Sequence, residues 1–556
     1  MKKYISVSSW RDWIRNASKW EYIIYFLTLY VLLVFRAPKD FFQPYLWAED
    51  GTVLIQQAIQ QGVSSIFTVN NGTYWVMQKL LALLCYWIVR PFDSIVILPY
   101  LMQIIAKIFI VLSVMYFISD KFEWVVLKKY HRFCICAGIV LFMPQSASDT
   151  LTCETSLPFP LFFVVYLIGL ELLCNSEIKL PSWRQIIFMS LLALSSADAL
   201  CIGAVAGVVI VRYFVYGIKH KIEKVQWGFG FLKLALVLST VFLQTQSLLS
   251  AGRVNQQLEI AKRIVLNTKS FMFFPYWNQF HSWGAFLIGG LIWVLIWKKS
   301  KISCFTLIYS AGFSYLAMLY NCMAENVEDV YFGNMTSRYV FICSEIAAFM
   351  LGVAISKLIE KVDRKSLILA YVCLTCAIVT CLRTYNVSVI GEKYADCYKS
   401  ASVVFDDVGT DDVIIPIGPW EPWNFKIPAS ISDNKMKDDL IIGIETIDQK
   451  RIGDIEFGIL TSTDNWKISG WIKSSKDNEI LRNLFIKKGK IYIAVETLEV
   501  RDDFQGQSLR HNGYEFNITR EYDLIKEGEN TLEFVGQTND GTWHCGKLLV
   551  EINKEK

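Results

Sequence analysis

Long apolar runs recur through the first two thirds of the chain. An α-helix needs about 20 residues to cross the roughly 30 Å of hydrocarbon in a bilayer, and most of these runs approach that length. The pattern predicts eleven membrane-spanning helices, at residues 20–36, 95–118, 133–146, 158–174, 185–199, 200–216, 229–249, 283–297, 303–320, 339–356 and 366–383. The run from Trp75 to Arg90 is shorter and carries Gln78 and Lys79, so it predicts a juxtamembrane or re-entrant helix instead.

From about residue 415 the pattern changes to short alternating runs separated by Gly, Asn and Asp. This alternation is typical of strands that bury one face. Strands are predicted at Trp466–Ile472, Ile491–Val495, Tyr514–Ile518, Thr531–Val535 and Lys547–Ile552. Their spacing favours an antiparallel β-sandwich. Such a domain could be a packing module, or it could contact glycans through exposed Trp and Tyr.

Composition divides the chain in the same place. Apolar residues make up 53% of the chain and charged residues 19%, below the roughly 25% of soluble proteins. Residues 1–383 carry 34 Lys and Arg and 21 Asp and Glu, and the remaining 173 residues carry 21 and 30. The sequence therefore predicts a polytopic membrane domain over 1–383, a linker over 384–419 and an acidic domain over 420–556. A wholly soluble enzyme and a nucleic-acid-binding protein are excluded.

Basic residues set the predicted orientation, because Lys and Arg collect on the cytoplasmic side of a membrane. They cluster within residues 2–19, 121–132, 219–224, 298–301 and 357–365. Eleven spans put all five clusters on one side, with the N-terminus inside and the C-terminal domain outside. Cys397 and Cys545 of that domain could form a disulfide in an oxidising compartment.

Two adjacent carboxylates follow the first predicted span, in Trp47-Ala-Glu49-Asp50-Gly51. Carboxylates there could take a proton from an attacking hydroxyl or hold a divalent cation. Alternatively, Asp50 could cap the helix predicted over Val53–Gln61. These residues lie in an outward insert, residues 37–92, with interfacial helices and no second span.

Other charged residues are candidates for the same outer face. Asp198 lies between two predicted spans, where a carboxylate is either a site residue or an exposed turn residue. Glu154 lies in a loop before another span and is a candidate for acceptor binding. The loop 250–282 is rich in Arg and Lys, which could meet a pyrophosphate or form a solvated helix face.

The chain resembles the GT-C class of polytopic glycosyltransferases, and within it the phage-encoded glucosyltransferases that convert the serotype of bacterial O-antigen. The resemblance is carried by Glu49-Asp50-Gly51, by Gly72–Lys79 and by Arg338-Tyr339. It implies transfer of a sugar, glucose in those relatives, from a polyprenyl-phosphate donor to a lipid-linked polysaccharide. The transfer would occur on the periplasmic face of the bacterial inner membrane.

The resemblance also implies residue roles. Asp50 or Glu49 would be the base for the acceptor hydroxyl, and Arg338 would grip the lipid phosphate with its planar guanidinium. Arg338 beside Tyr339 could equally be an interfacial residue whose side chain reaches the membrane surface. Tyr74 and Lys79 are further candidates for substrate binding.

Two other function classes remain open. An O-antigen polymerase or ligase would use a late Arg-rich loop, for which residues 250–282 are the candidate. A flippase or transporter would show internal repeats and broken helices, and the sequence has no such repeat. No motif requires a cofactor beyond the divalent cation that the carboxylate pair could hold. The expected partners are the lipid-linked donor, the polysaccharide acceptor and membrane lipids.

Overall fold

The structure is a computed structural model, and it combines a helical first part with sheets at the C-terminus. It describes residues 7–36, 38–42, 46, 48–92, 95–142, 155–175, 180–220, 224–251, 294, 297–300, 302–321, 341–361, 367–368, 371, 395–406, 409–417, 424–431, 436–438, 440–453, 462–474, 481–500, 512–519, 528–538 and 540–552.

Apolar helices make up the first part of the chain. They are α1 (Val7–Arg36), α2 (Pro38–Phe42), α3 (Gln56–Gln61), α4 (Val76–Val89), α5 (Leu98–Met115), α6 (Lys129–Phe142), α7 (Pro158–Gly169), α8 (Trp183–Ala193), α9 (Ala199–His220), α10 (Lys224–Ser250), α11 (Cys304–Asn321) and α12 (Phe341–Glu360). Short 3₁₀ turns cover Gly62–Phe67, Arg90–Phe92, Tyr116–Ile118 and Asp120–Phe122, and π-helical turns cover Asp50–Ile55 and Leu170–Cys174.

Four helices within the described ranges are long and apolar enough to cross a membrane. They are Leu98–Ile118, Ala199–Ile218, Gly228–Ser250 and Phe341–Glu360. Shorter apolar helices cover Pro158–Cys174, Trp183–Ala193 and Cys304–Ala317. The predicted spans 283–297 and 366–383 fall largely outside the described residues, so the total of eleven stays a prediction.

Aromatic side chains fill the centre of the helical bundle. The rings of Phe163 and Tyr166 on α7 meet Phe349 on α12 edge-on, with ring centroids 5.5 and 5.7 Å away. Tyr166 also stacks on Tyr309 of α11 and shares a 2.7 Å hydrogen bond with Ser310. Such buried rings exclude lipid and water from the interior, and they fix the relative positions of the helices.

The insert between α1 and α5 contains only short helices. The longest, α4, has 14 residues and is about 21 Å long at 1.5 Å per residue, too short to cross the hydrocarbon. Its exposed positions Leu80, Leu84, Trp87 and Ile88 form an apolar stripe, while the opposite side is buried. This arrangement suits a helix that lies in a membrane interface, as the sequence predicts.

Two sheets follow the helical part. Their strands are β1 (Asp411–Pro416), β2 (Asn424–Ala429), β3 (Lys437–Asp438), β4 (Leu440–Gly453), β5 (Ser462–Ser474), β6 (Leu481–Lys488), β7 (Ile491–Ala494), β8 (Glu496–Val500), β9 (Asn512–Thr519), β10 (Gly528–Thr538) and β11 (Trp543–Ile552). The first sheet has the order β2-β1-β7-β6-β10-β11-β3, and the second has β4-β5-β9-β8. The five strands that the sequence predicts are confirmed.

The prediction that the sheets are purely antiparallel is wrong at two pairings. Strand β1 is parallel to β7, and β11 is parallel to β3. Parallel neighbours need a long connection between them, and these pairs are far apart in the chain. Strand β1 comes from the stretch predicted to be a linker. The described residues of that stretch, which also form helix α13 (Ala395–Val403), are therefore part of the folded domain.

The C-terminal domain packs directly on the insert. One apolar cluster contains Leu54 and Leu83 of the insert together with Ala401 of α13, Val413 of β1 and Ile427 of β2. Because both parts share one core, they lie on the same side of the bundle. The sequence predicts the same relation, since it puts the insert and the C-terminal domain both outside.

Candidate functional site

Asp50 lies inside a helical segment and does not cap it. The residue before it, Glu49, already has helical backbone angles and makes no side-chain capping hydrogen bond. The segment continues without a break from the π-helical turn at Asp50 into α3. The interpretation of Asp50 as a helix cap is therefore wrong. π-Helical turns are rare and frequently occur at functional sites.

Thr155 holds the Asp50 side chain from a distant part of the chain. Its hydroxyl donates a 2.6 Å hydrogen bond to Asp50 Oδ1, and its backbone N–H donates a 2.9 Å bond to the same oxygen. Asp50 is 3% exposed. A buried carboxylate is costly unless hydrogen bonds satisfy it, and two donors aimed at one oxygen also fix its orientation.

The first turn of α4 joins this contact to the end of α8. Gln78 Nε2 donates to the carbonyl oxygens of Thr155, at 3.5 Å, and Ser195, at 3.0 Å. The backbone N–H of Met77 donates to Ser195 Oγ at 2.8 Å. The free N–H groups at the start of α4 are thus bonded by a neighbouring segment, and three distant parts of the chain meet beside Asp50.

Trp75, immediately before α4, has a left-handed backbone with φ of 56°. This conformation costs a bulky residue on the order of 1 kcal/mol and is found mainly where surrounding contacts enforce it. Here the following residue, Val76, donates its N–H to the carbonyl of Leu194 at 3.4 Å. The strained residue therefore lies where the insert attaches to the bundle.

Asp198 is fully buried, so its interpretation as an exposed turn residue is wrong. The Ser196 hydroxyl donates to Asp198 Oδ2 at 3.3 Å and accepts from the Asp198 N–H at 3.1 Å. The same short turn contains Ser195, which contacts Gln78. The hydrogen bonds that run from Asp50 through Thr155 and Gln78 end at Ser195, three residues before Asp198 in the chain.

Lys79 is a buried cation held by neutral oxygens. Its Nζ donates to the backbone oxygen of Thr68 at 2.6 Å and to the Thr68 hydroxyl at 2.8 Å. Among the described residues it has no carboxylate within ion-pair distance. Burial lowers the pKa of Lys79 to about 8. A lysine kept in this state is a candidate for binding an anion or for proton transfer.

The loop before α4 rests against α10. The Tyr74 N–H donates to Gln244 Oε1 at 3.4 Å, and Gln244 Nε2 donates to the Gly72 carbonyl at 3.0 Å. Gly72 has φ of +78°, and a Cβ there would be 2.9 Å from Ala251 Cβ, so only glycine fits. These contacts fix the backbone of Tyr74. A role for its side chain in substrate binding stays a prediction.

Neutral residues missed by the sequence analysis organise this site. Thr155, Ser195 and Ser196 did not stand out because their partners are more than 100 residues away or within the same turn. Gln78 was noticed only as a polar residue that disfavours a span. The available signal was the density of Ser, Thr and Gln at the ends of apolar helices.

Other predicted site residues lie outside the described residues. They are Glu154, Arg338 and Tyr339, together with nearly all of the loop 250–282. Cys397 and Cys545 are both described, and no disulfide joins them in the structure. Within the described part of the chain, no group of three or more His, Cys, Asp or Glu could hold a metal ion.

Comparison with known proteins adds no family assignment. Neither a family model nor a curated protein sequence matches this chain. A functional interpretation therefore depends on the resemblance described above and on the geometry around Asp50.

Proposed function

We propose that this protein is an integral-membrane glycosyltransferase. It moves a sugar from a polyprenyl-phosphate donor onto a surface polysaccharide such as O-antigen, on the periplasmic face of the bacterial inner membrane. The observation that carries the proposal is the buried Asp50 carboxylate, oriented by two hydrogen bonds from Thr155 where the insert meets the bundle.

The chemistry of transfer requires a group like Asp50. The acceptor hydroxyl oxygen forms a bond to C1 of the donor sugar, and the bond between C1 and the phosphate oxygen breaks. The electron pair of that bond leaves with the lipid phosphate, and the hydroxyl proton must go to a base. A positioned carboxylate within hydrogen-bond reach can accept that proton, and such a base typically contributes a hundred-fold or more to the rate.

The location of Asp50 also supports a lipid-linked donor. It lies in the insert whose helix α4 presents Leu80, Leu84, Trp87 and Ile88 as an exposed apolar stripe. A helix of this kind rests at the boundary between hydrocarbon and water. The phosphate of a polyprenyl-phosphate sugar lies at the same depth, because its chain is in the hydrocarbon and its sugar is in water.

Lys79 supplies a positive charge on that same helix. With a pKa of about 8, it is mostly protonated at neutral pH and can stabilise negative charge on a leaving phosphate. Arg338, at the predicted outer end of another span, would share this task. Glu49 precedes Asp50 and is the second carboxylate available to the acceptor.

The test is substitution of the proposed base. Asp50→Asn keeps an oxygen that can accept both bonds from Thr155, but its amide cannot take up the proton. Sugar transfer should fall about a hundred-fold or more at matched protein levels. Glu123→Gln, which changes an exposed carboxylate between α5 and α6, is the matched control and should transfer normally.

The readout is transfer of radiolabelled glucose from polyprenyl-phosphate glucose to polysaccharide in isolated membranes, together with the sugar composition of the surface polysaccharide in cells. Near-normal transfer in Asp50→Asn would contradict the role of Asp50 as base. Absence of any transfer by the unmodified protein, with no change in surface sugar composition on its deletion, would contradict the function itself.

A further inference from the structure

Three buried oxygen atoms that have no hydrogen-bond partner among the described residues belong to residues next to the contact between Asp50 and Thr155. They are Glu49 Oε2, Gln78 Oε1 and Ser156 Oγ. Glu49 precedes Asp50, Ser156 follows Thr155, and Gln78 is bonded to Thr155. The side chains of Gln78 and Ser156 belong to residues that are only 1% exposed. A buried polar group without a partner is destabilising, so three of them in residues next to one contact need an explanation.

The orientation of the Gln78 amide is fixed by its neighbours. Both groups that its nitrogen contacts, the carbonyls of Thr155 and Ser195, can only accept hydrogen bonds. Reversing the amide would bring its oxygen against two other oxygens. Oε1 is therefore the free atom, and it requires a donor.

Further buried polar atoms without a hydrogen-bond partner occur elsewhere in the described residues. Gln103 Nε2 lies on α5, Ser190 Oγ on α8, and Glu345 Oε1 and Oε2 on α12, which are three different helices. The group beside Asp50 differs because it combines two acceptors with one hydroxyl around a candidate base. A phosphate offers mainly acceptor oxygens and would be repelled by Glu49 and Gln78. A sugar ring offers adjacent hydroxyls, each of which both donates and accepts.

We propose that Glu49, Gln78 and Ser156 form a carbohydrate subsite that binds the hydroxyls of the acceptor sugar beside the one that Asp50 deprotonates. This inference rests on the proposed function for the identity of the sugar as an acceptor. Glu49 and Gln78 accept hydrogen bonds from two ring hydroxyls, and the Ser156 hydroxyl forms a third hydrogen bond to the sugar. The three residues thereby select which hydroxyl of the acceptor reaches Asp50.

Ser156→Ala tests the subsite cleanly. The Ser156 hydroxyl makes no hydrogen bond within the described part of the protein, so its removal should leave the melting temperature unchanged or raise it. Ser190→Ala is the matched control, because it removes another buried, unpartnered serine hydroxyl, from the middle of α8. The probe is the surface polysaccharide extracted from the producing cells, titrated against the full-length protein in detergent.

We expect Ser156→Ala to raise the Kd for this polysaccharide roughly three-fold to ten-fold, as expected for the loss of one neutral hydrogen bond. Ser190→Ala should bind like the unmodified protein. An unchanged Kd in Ser156→Ala, an equal loss in both variants, a lowered melting temperature in Ser156→Ala or no binding by the unmodified protein would each overturn the subsite. Loss of binding on addition of EDTA would assign the oxygens to a cation and overturn it as well.

The same titration separates this inference from the proposed function. Binding that is weakened only by Ser156→Ala, in a protein that transfers no sugar, would retain the subsite and reject the transferase. Transfer of sugar with an unchanged Kd in Ser156→Ala would reject the subsite and retain the transferase.

Discussion

The hydroxyl of Tyr398 donates a hydrogen bond to the backbone carbonyl of Ile95, 303 residues earlier in the chain. Tyr398 belongs to α13, and Ile95 lies between the insert and α5. Burial raises the pKa of Tyr398 well above its usual value, so its hydroxyl remains a donor throughout the physiological range. The bond lies in the apolar cluster that joins the C-terminal domain to the insert.

The first prediction concerns this joint. Tyr398→Phe removes this donor, while the Ile95 carbonyl keeps its 3.0 Å bond from the Leu98 N–H, so the loss should cost about 0.5–1.5 kcal/mol. We expect the C-terminal domain to be cleaved faster by a protease added from the outer side, with a several-fold loss of sugar transfer. Limited proteolysis followed over time measures the first effect. Leu549→Ala, at an exposed position of β11, should change neither quantity.

The second prediction concerns the orientation of Asp50. Thr155→Val keeps the shape and the backbone N–H but removes the hydroxyl that donates the 2.6 Å bond to Oδ1. Because this bond would position the proposed base rather than bind substrate, kcat should fall roughly ten-fold while the KM for the donor changes little.

Thr155→Ser should restore most of the rate, because it returns the hydroxyl. The matched control is Thr245→Val, which removes a hydroxyl that bonds only within its own helix, to Val241. A rise in donor KM with unchanged kcat in Thr155→Val would show that Thr155 contacts the substrate instead of orienting Asp50.

Sequence periodicity predicted much of the fold because it reports local structure. The alternation of apolar and polar residues predicted β5, β7, β9, β10 and β11. The apolar run that forms α4 was predicted not to cross the membrane, because it is too short. Strands β4 and β6 were missed, since their polar and charged positions, as in Ile447-Asp-Gln-Lys-Arg451, do not alternate cleanly. Strand β1 was missed because Pro416 and the glycines and prolines after it indicate a linker.

The carboxylates of the candidate site could be predicted from the sequence, but the neutral residues around them could not. Carboxylates near a membrane are unusual enough to single out Asp50 and Asp198 from sequence. Thr155, which bonds to Asp50, and Gln78, which bonds to Thr155 and Ser195, are ordinary polar residues. They acquire a role only when α4, α8 and the start of α7 pack together, and that packing depends on the aromatic core of the bundle.

The third prediction concerns which side of the membrane the parts occupy. The insert and the C-terminal domain share one core, so single cysteines at Gln61 of α3 and Leu549 of β11 should react together with a membrane-impermeant maleimide in intact cells. A cysteine at Glu123 should react only after permeabilisation, because it adjoins the basic cluster 121–132. Each variant is compared with the parent chain to subtract native cysteines.

Labelling of Gln61 and Leu549 from opposite sides would contradict the packing of the C-terminal domain on the insert. Labelling of both only after permeabilisation would reverse the predicted orientation, and transfer on the periplasmic face would then be excluded.

The last prediction concerns Lys79, whose pKa is lowered from 10.5 to about 8 by burial. The folded state binds this proton more weakly than the unfolded state does, so the charged lysine lowers stability. The cost is fully present below about pH 8 and is relieved as the pH rises towards 10.5; a shift of this size corresponds to at most about 3 kcal/mol. Lys79→Met should therefore melt higher than the unmodified protein at pH 7, and the difference should shrink by pH 10.

If the charge is retained to stabilise the donor phosphate, the same variant should lose most sugar transfer despite its greater stability. Lys490→Met, at an exposed turn, should alter neither melting nor transfer. Full transfer by a stabilised Lys79→Met would leave Lys79 as an anchor for the Thr68 loop, and the phosphate contact would then fall to Arg338.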